Sequence, residues 1–119
     1  MGQVQRNGGR VAFIDAERSF DPVYAGALGL NVPETYFSRP DSGEDAMIIV
    51  QRLAATGAVD MIVVDSAAAL LPRQELEAGL SDPEIIAAQA RMMSNCLRRL
   101  NGTVARGGTA LIFLNQTRT

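Results

Sequence analysis

Three short runs of apolar residues punctuate the chain: Val11–Asp15 (V-A-F-I-D), Met61–Asp65 (M-I-V-V-D) and 110–115 (A-L-I-F-L-N). Each is rich in β-branched or aromatic side chains and ends in polar ones, which predicts buried parallel strands. Between the strands the spacing turns helical. Residues 21–28 close at Gly29, and residues 42–56 close at Gly57, the second helix opened by Ser42 with Asp45 three positions on. A longer helix is predicted from Asp82, with Pro83 at its first position. Its apolar stripe of Ile85, Ile86, Met92, Met93, Cys96, Leu97 and Leu100 marks the core face, and Gly102 is its expected end. A short fourth strand is expected at 36–38, before the Pro40-Asp41 turn, and residues 1–7 read as the tail of a helix. Strands alternating with helices predict an α/β domain.

Composition narrows this picture. At 119 residues the chain has room for one hydrophobic core, and no apolar run approaches the roughly 18 residues of a membrane helix. The polar, Gly-rich start is unlike a secretory signal, so a cytoplasmic location is expected. Cys96 is alone, which excludes a disulfide within the chain, and histidine is absent; carboxylates are left as the hard-metal ligands, with magnesium the expected ion. The net charge of −2 means that any nucleic-acid contact must come from a local basic strip. All 11 basic residues are arginine, so these residues contain no phosphate-loop lysine.

In open α/β sheets ligands sit beyond the carboxyl ends of the strands. There the sequence places Asp15, Glu17, Asp65, Ser66, Asn115 and Gln116, a set of carboxylates and amides able to hold a hydrated magnesium ion, activate a water and sense a phosphate. Polar residues also end strands simply because the chain emerges into water; convergence from three strands favours the functional reading.

Four stretches, in order, carry a resemblance: A-F-I-D-A-E-R-S-F-D-P-V-Y-A from Ala12, G-A-V-D-M-I-V-V-D-S from Gly57, A-R-M-M-S from Ala90 and I-F-L-N-Q-T-R from Ile112. Together they resemble the bacterial RecA recombinases over essentially the whole chain. The resemblance implies a P-loop NTPase core fragment: a mainly parallel sheet with helices on both faces, residues 1–119 being a partial ATPase core domain truncated at both ends and lacking the phosphate-loop strand. It implies ATP and magnesium as cofactors, single-stranded and double-stranded DNA as partners, self-association into a helical filament, and the SOS repressor as a further partner. Glu17 becomes the carboxylate that activates the attacking water, Asp65 the Walker B metal carboxylate with Ser66 beside it, and Gln116 the γ-phosphate sensor. Asp21 and Tyr24 match the adenine-contacting pair, although a helix cap and a core aromatic would look the same in sequence.

On the DNA side, Arg91, Asn95 and Arg98 fall at i, i+4 and i+7, with Arg99 adjacent. A solvated helix face would read identically. The resemblance assigns Ser81, Asp82, Arg91, Ser94 and Arg98 to the first DNA-binding loop and its helix, and Arg118 to the start of the second loop. Three arginines on single-stranded DNA would give a salt slope of about two per subunit. The first loop departs from the family pattern in length and in Pro83, and Arg18 replaces a common histidine. The family's G-x-x-x-x-G-K-T loop does not occur here, so the segment alone is expected to be poorly stable and inactive. The alternative is a non-catalytic paralogue acting as a filament or partner-binding module, against which Glu17 and Gln116 argue. A related hexameric motor would share Asp65 but not F-I-D-A-E or F-D-P-V-Y-A. A dinucleotide dehydrogenase is set aside for want of G-x-G-x-x-G.

Overall fold

The computed structural model describes residues 1–18, 20–65 and 82–114, with the side chains of 82, 85 and 86 excluded. The described elements run α1 (Gly2–Arg6), β1 (Val11–Asp15), α2 (Pro22–Ala27), a 3-10 turn (Val32–Glu34), β2 (Tyr36–Ser38), α3 (Gly43–Thr56), β3 (Met61–Asp65), α4 (Asp82–Gly107) and β4 (Ala110–Leu114). All strand pairings are parallel and the order is β2-β1-β3-β4. The expected short strand at 36–38 is therefore real and forms one edge.

Local chemistry sets the helix ends. Ser42 caps α3 by accepting from the Asp45 N–H at 3.2 Å, and Gly57 closes it at φ 67°, a left-handed value that glycine adopts without strain. Asp21 is not the first residue of α2 but its cap, accepting from the Val23 and Tyr24 N–H groups at 3.0 and 3.1 Å. One expected end differs. The helix α4 does not stop at Gly102 but continues to Gly107, and Gly108 turns out of it at φ 65°. The added turn lays half-buried Val104 on the core, and Gly107 fits only because it has no Cβ, which would collide with the Ala54 carbonyl of α3. That packing outweighs the cost of roughly 1 kcal/mol for a glycine inside a helix.

The core lies between the sheet and the α3–α4 layer. Ala12, Ile14, Ile62 and Val64 point into it from the strands and meet Ala46, Met47, Val50 and Ala54 from α3 and Met92 and Leu100 from α4. Leu97, expected in this stripe, is instead 41% exposed; Ile85 and Ile86 have no described side chains. The opposite face bears Val11, Phe13 and Val63, all buried, beside half-exposed Ile112 and Leu114. Among the described residues its cover near β1 is an aromatic cluster of Phe13, Phe20 and Phe37, with centroids 4.7 to 6.0 Å apart, and not a long helix. The expected mainly parallel sheet with packed helices is present, and α3 and α4 form the layer on one of its faces. No helix among the described residues is long and apolar enough to cross a membrane.

Candidate functional site

The parallel register places Asp15 directly beside Asp65, so β1 and β3 each deliver a carboxylate to the same sheet edge and the same face. Beyond them the chain does not simply leave. The N–H groups of Ala16 and Glu17 both donate to the Asp65 carbonyl, at 2.7 and 3.2 Å, folding the loop after β1 across the end of β3. Glu17 is thereby held over the Asp65 strand end. Three acidic residues share one small region, and the Asp65 carboxyl is pushed above its ordinary value, first by burial and then by the negative charges of Glu17 and Asp15.

Asp15 is the most enclosed of the three, with 0% exposure. Its Oδ2 accepts from the Phe20 N–H at 3.2 Å and from Arg39 Nε at 3.3 Å. Arg39 reaches in from just past β2 with its guanidinium 5.3 Å from the Phe37 ring centroid. A second contact links the same two segments: Arg18 Nη2 lies 3.2 Å from Asp41 Oδ1, with Arg18 in the left-handed region at φ 58°. Such a backbone costs a non-glycine residue on the order of 1 kcal/mol and sits immediately after Glu17.

The remaining expected residues fall at different places. Asp21 spends its side chain on capping α2, and Tyr24 stands 64% exposed, so it is no core aromatic. Both lie one short loop away from Glu17. Arg91, Ser94, Asn95 and Arg98 do share an exposed face of α4, where they line a shallow depression of about 410 Å³. Arg98 donates to Asn95 Oδ1 at 3.1 Å and to the Ser94 carbonyl at 3.4 Å, which orients its guanidinium along that face. Arg99 is not part of the strip; it lines the groove between α3 and α4 with Glu44, Ile48 and Gln51. Asp82 begins α4, while Ser66, Ser81, Asn115, Gln116 and Arg118 lie outside the described residues. Sequence reasoning misses Arg39, because nothing local signals a partner 24 residues away.

Among the described residues no three metal-binding side chains converge tightly enough to hold an ion unaided. Asp65, at the carboxyl end of β3, is only partly buried.

An open parallel sheet with helices packed on it defines the class as an α/β protein, with Asp15, Glu17 and Asp65 together at its strand ends. Comparison with known proteins is specific. The family described as the RecA N-terminal domain matches residues 1–119. Proteins named Protein RecA from Halalkalibacterium halodurans, Brevibacillus brevis and Gluconobacter oxydans are 49%, 50% and 51% identical over 118 residues, covering 99% of this chain. The chain spans about a third of the length of these relatives, 33 to 34%. It belongs to the RecA family.

Proposed function

We propose that this segment is the hydrolytic part of a P-loop ATPase core in a DNA-dependent recombinase. In this reading the parent protein polymerises on single-stranded DNA, pairs it with homologous duplex and exchanges strands in recombinational repair and the SOS response, in the cytoplasm. The observation that carries it is the register of Asp15 beside Asp65 with the Glu17 N–H bonded to the Asp65 carbonyl, within a chain of the RecA family.

Glu17 takes the proton of the attacking water, for which a carboxylate held by its own backbone at a strand end is suited. Asp65, with Ser66 after it, would hold magnesium, which when bound neutralises charge on the phosphates. The raised proton affinity of Asp65, owed first to burial and then to the charges of Glu17 and Asp15, is that of a carboxylate a cation would stabilise in its charged form. Asp21 and Tyr24 border the base, the exposed ring offering a stacking face and the cap fixing the start of α2. Gln116 senses the γ-phosphate, since an amide both donates and accepts. Arg91, Ser94 and Arg98, with Ser81, Asp82 and Arg118, face the DNA. The phosphate grip itself requires a lysine loop that these residues do not contain, so the segment alone hydrolyses no ATP. Filament neighbours and the SOS repressor are its proposed protein partners.

The test is single-stranded DNA binding by the full-length protein as a function of salt. Arg91→Ala with Arg98→Ala should lower the log–log slope by about 1.4, because two phosphates are no longer neutralised. An unchanged slope would remove α4 from the DNA interface.

A further inference from the structure

We infer that Arg39 is a positioning residue for the water-activating loop, and that what it supplies is a donor at one fixed point more than a positive charge. The inference rests on the ATPase reading above for its kinetic consequence but not for its geometry. Asp15 is wholly buried, and one of its oxygens, Oδ2, receives both the Phe20 N–H and Arg39 Nε, at 3.2 and 3.3 Å. Phe20 is the far end of the loop that begins at Ala16 and carries Glu17. One end of that loop is tied to the Asp65 carbonyl, and the other is tied to Asp15 through the oxygen that Arg39 holds. Arg39 thus sets where Asp15 points, Asp15 sets where Phe20 sits, and the two anchor points define the span on which Glu17 rides.

The packing around Arg39 supports a locating role. Its guanidinium lies over Phe37, whose ring is 5.0 Å from that of Phe20 and stacked at 3° on Phe13. The aromatic cluster and the ion pair therefore converge on the same loop end. The side chain of Arg39 is 48% exposed, so water screens its charge and a purely coulombic contribution is small. Directional hydrogen bonding to a buried carboxylate oxygen is not diluted in this way. The contacting atom is also Nε and not a terminal nitrogen. A glutamine at this position carries its amide nitrogen the same number of bonds from Cα, so Arg39→Gln keeps the donor and removes the charge. Arg39→Met keeps an apolar stem over Phe37 and removes the donor.

The experiment is DNA-stimulated ATP turnover by the full-length protein with each change, alongside amide exchange at Phe20. Arg39→Gln is expected to stay within about threefold of wild type, whereas Arg39→Met lowers kcat roughly 10- to 100-fold with little change in KM for ATP, the size expected of a slightly misplaced reacting group. The Phe20 amide should keep its protection in Arg39→Gln and lose it in Arg39→Met. Wild-type kcat and protection in Arg39→Met, or equal impairment of both variants, would overturn the inference. Should Arg39→Met fail to fold, Arg39→Lys replaces it: its ammonium sits one bond further out, and a wild-type kcat there would equally overturn a requirement for the Nε position. If the wild-type protein shows no ATP turnover, the ATPase reading fails, and the Phe20 exchange alone decides the role of Arg39.

Discussion

β1 and β4 are almost interchangeable as sequences, V-A-F-I-D against A-L-I-F-L, yet they live in different surroundings. Every residue of β1 is buried; β4 alternates, with Ala110, Ile112 and Leu114 exposed and Leu111 and Phe113 turned to the core. The difference comes from neighbours. β1 has β2 on one side and β3 on the other and is roofed on both faces, whereas β4 is bonded only to β3 among the described residues. A strand's apolar content therefore reports that it belongs in a sheet, while its position in the order decides how much that content stabilises. The site follows the same division: the carboxylate cluster grows out of β1 and β3, the two most enclosed strands.

The comparison is sharpest where a large side chain is cut back at matched chemistry. Ile14→Ala, at a residue 1% exposed, should lower stability by about 2–5 kcal/mol, because a cavity remains in a packed core. Ile112→Ala, at 39% exposure, should cost about 1 kcal/mol or less. Denaturant titration of the 119-residue chain, to which these exposures belong, measures both, and equal losses would show that β4 is not the weaker strand in it.

A smaller effect is expected at the α2 cap. Asp21→Ala removes the acceptor for two N–H groups and should destabilise by about 1 kcal/mol, readable as a lower melting temperature. Asp21→Asn, which retains a capping oxygen, should recover most of that loss.

The smallest effect concerns Asp65. Its folded-state affinity for protons is raised, so the folded state is favoured when this group is protonated and loses that advantage as pH climbs through the raised value. Asp65→Asn removes a partly buried charge and, with it, the repulsion from Glu17 and Asp15, and should raise stability near neutral pH by about 0.5 kcal/mol, a size typical of screened charges. The gain should vanish below the ordinary carboxylate pKa of about 3.9. Melting temperatures of both forms across this range check it, and a gain persisting at low pH would contradict the assigned cause.

Much of this architecture is legible in the chain itself. The strands at 11–15 and 61–65, the Ser42 cap and the Gly57 stop are local signals, and the structure places them where local chemistry demands. Features set by distant partners are not legible in this way. Gly102 looks like a helix end until Val104 and the close approach of Gly107 to α3 are known. Leu97 fits the core period of α4 but is 41% exposed, at a cavity it lines with Leu100, Val104, Leu111 and Phe113. At the site, Glu17 and Asp65 stand out by their places after apolar runs, whereas the Asp15–Arg39 bond joins segments that no periodicity relates.

The proposed function turns on Glu17, whose N–H is bonded to the end of β3, activating water for ATP hydrolysis in the parent protein. The most direct measurement is single-turnover ATP hydrolysis by full-length Glu17→Gln on single-stranded DNA, with nucleotide and DNA binding followed in the same samples. The account predicts that both ligands still bind while hydrolysis falls by about 10²- to 10⁴-fold. Hydrolysis at the wild-type rate with binding intact would contradict it.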